Sequence, residues 1–318
     1  MGFYVLSYLC IFVFIVATAY LLYRQMTLPV HVRWEIYPVQ HETAAKVAYG
    51  GSYMEEVDWW EKKRERSLLS ELRYMVPEIL FIRGLWKENR GLWWVSFPFH
   101  FGLYLTIATF VLLLKHAGFT LWGSTAFAAG SALRTLLDGL IVLLGWGGLI
   151  LGIIGSLGLL YRRLTDPELR NYSSPVDYFN LLFTLLFFIS ALVSCLSGDP
   201  ALEGAKAYTF GLLTGGHSPS HYLPGQSLPG GVAIVTASLL VAYIPLTHMS
   251  HMFMKYFLYH NVKWDDAPNR RGGQIEAAIM KNLELKPTWK AKHVDADGRK
   301  SWRDIASSAP KEMKRTNA

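Results

Sequence analysis

The stretch PLTHMSHMFMKYFLYH, residues 245–260, puts His248 and His251 near the end of an apolar run, with His260 just beyond it. Far upstream, FHFG at 99–102 places His100 inside another apolar run. Histidine at membrane depth is costly and marks a functional position by default. Counted from Leu92, where the earlier run starts, His100 lies about eight residues in, or roughly 12 Å at 1.5 Å per residue. Counted back from Leu258, His251 lies about seven residues from the end of its run, or roughly 10 Å. If the two runs cross a membrane in opposite directions, the two imidazoles reach nearly the same level. One neutral imidazole from each of two helices, at matching depth, is what axial ligation of a haem iron requires. His248 competes with His251, because residues three apart share roughly one helix face. One of the pair would hold iron while the other contacts a haem propionate or a quinone. A lone membrane histidine is as readily a structural residue bonded to a backbone carbonyl, so the matching of levels carries the reading.

The remaining histidines are weaker candidates. His116 falls at the far end of the run that holds His100, and His217 and His221 lie in the loop GGHSPSHYLPGQ. A second haem would need His116 together with His217 or His221, by the same two-ligand logic. His31, His41, His260 and His293 sit in polar segments and receive no role.

The elements that would position these residues are legible from composition. Of 318 residues, 52% are hydrophobic, with 11 Trp and 17 Tyr, and the mean hydropathy is +0.22. That combination is a membrane protein's. The net charge of +7 does not indicate nucleic acid, because the basic residues gather in segments that flank apolar runs. The only cysteines, Cys10 and Cys195, lie in apolar runs. They are too few for a four-cysteine iron–sulfur cluster and read as buried, inert thiols.

A bilayer core takes about 20 apolar residues per helix, and five runs qualify: residues 3–23, 92–114, 135–160, 176–197 and 231–258. The first could be a signal peptide, with Ala17-Thr18-Ala19 as its cleavage site. However, nothing basic precedes it and Arg24 follows it, the reverse of a signal peptide's charge order. It is read as a retained helix with the N-terminus outside. Segment 24–91 carries 11 Lys and Arg, segment 161–175 three, and the tail from Lys255 another 14, whereas the opposite side has only Lys115, Arg134 and Lys206. This asymmetry places the basic segments and the C-terminus in the cytoplasm. Trp93, Trp94 and Trp264 fall at interface height. The expected fold is therefore all-α: a five-helix transmembrane bundle, N-out and C-in, in the cytoplasmic membrane. Residues 1–23 form helix one, 24–91 a cytoplasmic segment, 92–258 a four-helix haem-binding core, and 259–318 a basic cytoplasmic tail. Within 24–91, Leu68, Leu69, Leu72, Met75 and Val76 recur at helical spacing between charges. That amphipathic helix would lie on membrane lipid, dock a soluble partner, or do both. The tail is short of apolar periodicity and would lie along a partner or stay in part disordered.

Five N-out helices, FHFG opening the second and PLTHMSH closing the fifth resemble the cytochrome b subunit of respiratory nitrate reductase, the gamma subunit. The resemblance covers roughly residues 92–260. It extends to that family's cousins in sulfate-reducer membrane redox complexes and membrane-bound heterodisulfide reductase, which the long 24–91 segment favours. The resemblance implies haem b on His100 and His251 and makes His248 a neighbouring or quinone-side residue. It also implies menaquinone, and a cytoplasmic iron–sulfur partner of heterodisulfide-reductase type, with other membrane or outer-side cytochrome subunits as further neighbours. The family's second haem uses a histidine ten residues along helix two and another early in helix five. Here those positions hold Phe110 and Ala233 or its neighbours, which cannot ligate iron. A second haem is thus absent or rebuilt from residues such as His116 and His217.

The sequence therefore predicts a membrane cytochrome b subunit of a respiratory redox complex, passing electrons between menaquinone and a cytoplasmic iron–sulfur protein. Quinone contacts would come from His248 and Lys255, or from Arg134 and Asp138. The rivals are an ion or proton transporter, whose path intramembrane His and Asp would line, and a haem-free anchor. Five helices supply no matching inverted halves, and the anchor leaves the matched His100 and His251 without a purpose.

Overall fold

The computed structural model describes residues 2–27, 30–32, 45, 48, 57–58, 61, 68–217, 227–252, 254, 262–263, 271–288, 290–291 and 294–308. His221, Lys255, His260 and Trp264 lie outside the described residues, as do most of 24–67 and both ends of the tail. The chain divides into two compact units, one of residues 1–159 with 180–264 and one of residues 160–179 with 265–318.

In chain order the elements are α1 (Gly2–Thr27), β1 (Val30–Val32), α2 (Leu68–Phe81), α3 (Arg83–Glu88), α4 (Arg90–Trp122) and α5 (Ala132–Thr165). There follow α6 (Pro167–Tyr172), α7 (Pro175–Leu196), α8 (Glu203–Leu213), α9 (Leu228–Tyr243), β2 (Val262–Lys263), α10 (Gln274–Leu283), β3 (Lys290–Ala291), β4 (Val294–Asp295) and α11 (Trp302–Ser307). Apart from two short antiparallel ribbons, β1 with β2 and β3 with β4, the described structure is helical. Among the described residues, five helices are long and apolar enough to cross a membrane: α1, α4, α5, α7 and α9 with its continuation to Leu246.

The five runs are where the sequence places them, but their ends differ. Helix α4 has 33 residues and α5 has 34, so each is about 50 Å long and outlasts a bilayer core. His116 therefore lies inside α4 and is buried there, instead of ending it. The last run departs most. It does not continue as one helix to Leu258: α9 stops at Tyr243, a 3₁₀ turn spans Ile244–Leu246, Thr247 is extended, and a second 3₁₀ turn spans His248–Ser250. Pro245 is the cause, since it has no N–H and its ring collides with the carbonyl four residues back. Thr247 restarts the chain by accepting the Met249 N–H on its hydroxyl at 3.3 Å. The depth count from Leu258 assumed a continuous helix and does not hold past this break.

With lipid as apolar as leucine, close packing and polar contacts must hold the helices together. Helix α5 supplies the close packing. A Cβ on Gly102 of α4 would sit 2.5 Å from the backbone N of Gly152, and one on Gly155 would collide with the backbone of Phe99. The α4 backbone on either side of His100 is thus seated directly on α5. Polar contacts join α1 to α9 and α8: the Ser7 hydroxyl lies 2.7 Å from that of Ser238 and 2.9 Å from that of Tyr208, and the Tyr4 and Tyr208 rings stack at 4.7 Å. Cys10 and Cys195 are free and buried.

Helix α8 is an element the sequence reading missed. Its start is built by Asp199, whose carboxylate accepts the Gly204 N–H at 3.0 Å. In the tail, the described residues hold α10, the β3–β4 ribbon and α11, with Ser301 and Asp304 forming a capping box. These parts have more order than the missing periodicity suggested.

Candidate functional site

His100 stands about three turns into α4. Its Nδ1 lies 2.8 Å from the Ser96 carbonyl oxygen and 3.3 Å from the Ser96 hydroxyl. A carbonyl oxygen can only accept, so Nδ1 carries the ring proton and the lone pair is on Nε2. His251 follows the second 3₁₀ turn, and its Nδ1 lies 2.9 Å from the His248 carbonyl oxygen. The same reasoning puts its lone pair on Nε2. A histidine that ligates metal gives its other N–H to a carbonyl or carboxylate, which fixes tautomer and ring orientation. Both residues are set in that form by their own local backbone.

His248 is engaged differently. Its Nε2 lies 3.3 Å from the side-chain nitrogen of Asn180 on α7, and Tyr243 donates its hydroxyl to the Asn180 side-chain oxygen at 2.8 Å. Asn180 is only 7% exposed. Sequence reading missed it and Tyr243. A buried amide in an apolar run is a signal that can be noticed, but its partner 68 positions away cannot be read from spacing.

Towards the far end of α4 a second polar group forms. His116 Nε2 lies 3.4 Å from Asp138 Oδ1 of α5, and Lys206 Nζ of α8 lies 2.7 Å from the same oxygen and 2.9 Å from Glu203. Arg134 approaches the other Asp138 oxygen at 3.9 Å. Phe127 meets the His116 ring edge-on at 5.1 Å. His116 is 7% and Lys206 5% exposed, so this is a charge cluster tying three helices, in which each buried charge has a partner. His217 is not part of it. It is exposed, and its ring is held to the Thr214 carbonyl at 2.9 Å.

Outside the membrane-spanning segments, burial raises the Asp199 carboxyl above its usual value, against backbone N–H donors from Glu203, Gly204 and Ala205 that lower it. Among the described residues, no group of three or more His, Cys, Asp or Glu is placed to hold a bare metal ion. A haem asks less of the protein, only two axial ligands, and the tautomers of His100 and His251 fit that demand.

Residues 85–265 match the family model of the nitrate reductase gamma subunit. The chain belongs to the nitrate reductase gamma subunit family. The match takes in α4 to α9, the turn with His248 and His251, and the α3–α4 junction, so both histidine groups fall within it. No curated protein and no solved structure matches the chain. Membership makes this gamma-family chain a multi-pass membrane protein and a cytochrome b electron-transfer subunit that associates with quinone and with other subunits of a respiratory redox complex.

Proposed function

We propose that this gamma-family subunit holds one haem b between His100 and His251 and carries electrons between menaquinone and a cytoplasmic iron–sulfur partner of heterodisulfide-reductase type. The observation that carries this reading is the family match over residues 85–265, which contains both histidines; that each ring gives Nδ1–H to a backbone carbonyl is consistent with it. Haem bound there supplies one-electron redox chemistry. The chain's own residues do the rest. Ser96 and the His248 carbonyl orient the two ligands, and the glycine contact of α4 with α5 fixes the height of His100. One haem is favoured over two because Phe110 and Ala233 stand where the family's second pair of histidines would be, and the exposed His217 is not part of the His116 cluster.

The charge asymmetry supports an N-out orientation in the cytoplasmic membrane, with 24–91 and 259–318 on the cytoplasmic side of the 92–258 core. Within 24–91, α2 is clasped to α4: Trp93 donates its indole N–H to the Phe81 carbonyl at 2.7 Å, and the Tyr104 hydroxyl donates to that of Ile79 at 2.8 Å. Leu72, Val76, Leu80 and Phe81 remain exposed. These contacts favour α2 lying in the bilayer surface. For the quinone headgroup, Arg134 and Asp138 are favoured over His248 and Lys255. Asp138 is one-third exposed and adjoins an apolar groove lined by Thr135, Leu136, Gly139, Leu140 and Leu143.

The test is a pyridine haemochrome assay with reduced-minus-oxidised spectra on the detergent-solubilised wild type, His100→Ala and His251→Ala. About one haem b per chain, lost in both variants, is expected from the two-ligand requirement. A second haem surviving both variants would call for another site. A well-folded wild type without haem would overturn the cytochrome reading in favour of an anchor or transporter. Asp138→Asn with undiminished quinone turnover would remove Asp138 from that step.

A further inference from the structure

His248 and His251 lie three residues apart, one opening and one closing the second 3₁₀ turn, and both are imidazoles. Something must decide which of them takes iron. We propose that Asn180 does so: it occupies Nε2 of His248 and thereby holds the turn in the form that presents His251. The inference rests on the reading that His100 and His251 hold a haem.

The Tyr243 hydroxyl donates to the Asn180 side-chain oxygen, so the side-chain nitrogen faces His248 and its N–H uses the Nε2 lone pair. The ring proton of His248 is then on Nδ1, and neither ring nitrogen has a lone pair to give iron while Asn180 is in place. Asn180 is itself fixed, buried on α7, with its backbone carbonyl accepting the Thr184 hydroxyl at 2.8 Å.

Asn180 also spans the helix break. Tyr243 is the last residue of α9 and His248 opens the second 3₁₀ turn. Pro245 removes the helical hydrogen bonds that would fix one side of the break relative to the other. The amide replaces them with a tie from α7 to both sides. His251 then hangs on the His248 carbonyl through its own Nδ1–H at 2.9 Å. Holding His248 therefore sets the acceptor that orients the ligand. Asn180 acts through His248 and is a positioning residue, one step removed from the iron.

The test measures haem content, the ferric low-spin EPR signal and the haem midpoint potential on the full chain. The variants are Asn180→Leu, His248→Ala, His251→Ala and the double variant Asn180→Leu with His251→Ala. The expected result is that His248→Ala keeps its haem and His251→Ala loses it. Asn180→Leu keeps haem with a shifted EPR signal and midpoint. The double variant regains haem that His251→Ala lacks, because His248 is released. A merely structural asparagine predicts no such rescue. If Asn180→Leu fails to fold, Tyr243→Phe removes only the hydroxyl that holds the amide and must shift the signal in the same sense. The proposal is overturned if Asn180→Leu (or Tyr243→Phe in its place) matches wild type in EPR and midpoint. It is equally overturned by a double variant as empty as His251→Ala, or by His248→Ala losing haem while His251→Ala keeps it. A wild type without haem overturns the reading beneath it and the proposal together.

Discussion

His100 donates its Nδ1 proton to the carbonyl oxygen of Ser96, four residues earlier on the same helix, at 2.8 Å. That oxygen is also where the helix's own i to i−4 bond would end, so the ring shares an acceptor already fixed by the backbone. Because the acceptor is main chain, Ser96→Ala should leave the tautomer intact and remove only the weaker 3.3 Å hydroxyl contact. Haem content equal to wild type is the expected outcome, and its loss would mean that the hydroxyl is the true orienting group.

Gly155 lies where α5 meets the backbone of Phe99, one residue before His100. Gly155→Val has no room and must push α4 away. Overpacking of this kind costs about 1–3 kcal/mol, read as a lower midpoint of thermal unfolding in detergent. The displacement is next to His100, so the haem content of the same preparation should fall as well. Gly118, which has open space around it, is the control: Gly118→Ala should change neither.

Lys206 is nearly enclosed, and its ammonium meets both Asp138 and Glu203. Lys206→Met leaves the Asp138 carboxylate beside the buried His116 ring with the more distant Arg134 as its remaining cation. Breaking a fully buried pair costs roughly 3–5 kcal/mol, and the cost here should fall below that because Asp138 keeps partial access to solvent. Adding Asp138→Leu should recover part of the loss, measured as the coupling in a double-mutant cycle. Strict additivity would show that the three helices are not held by this cluster.

Nitroxide labels at Val76→Cys and Leu80→Cys test whether α2 lies in lipid. Cys10 and Cys195 are buried, so labelling should be confined to the new sites. In proteoliposomes, collisions with oxygen should exceed those with a water-soluble nickel reagent. The opposite preference would leave the exposed apolar face of α2 to a soluble partner.

Asp304 accepts hydrogen bonds from the Ser301 backbone N–H and hydroxyl, and these bonds, the backbone one foremost, hold its carboxyl below the usual value of 3.8. A carboxyl with a depressed folded value stabilises its helix fully above the unfolded value and loses that contribution as pH falls through the folded one. Helix α11 should thus be unaffected at neutral pH and loosen only in acid below 3.8. Hydrogen exchange of the Trp302–Ser307 amides, corrected for the intrinsic rate, should show protection falling over that window. Ser301→Ala should show the same loss at neutral pH, worth about 1 kcal/mol for a helix cap.

The sequence by itself determined the five spans, because a helix in lipid must satisfy its own backbone over about 20 apolar residues. It also singled out His100, with His248 and His251 as rivals for the second position, since ionisable groups in such runs are rare enough to count. Pro245 is visible in the sequence as well, but a depth for His251 along one continuous helix fails because that helix ends at Tyr243. Helix α8 escaped because its start rests on Asp199 folding back to the Gly204 N–H and its buried face on contacts with distant helices. What only the tertiary structure decided is which polar groups meet. Asn180 with His248, and His116 with Asp138 and Lys206, are hydrogen-bond and charge pairings between different helices. Their identity depends on how those helices rotate and pack, which glycine contacts such as Gly102 on Gly152 fix and which sequence spacing within one helix does not encode.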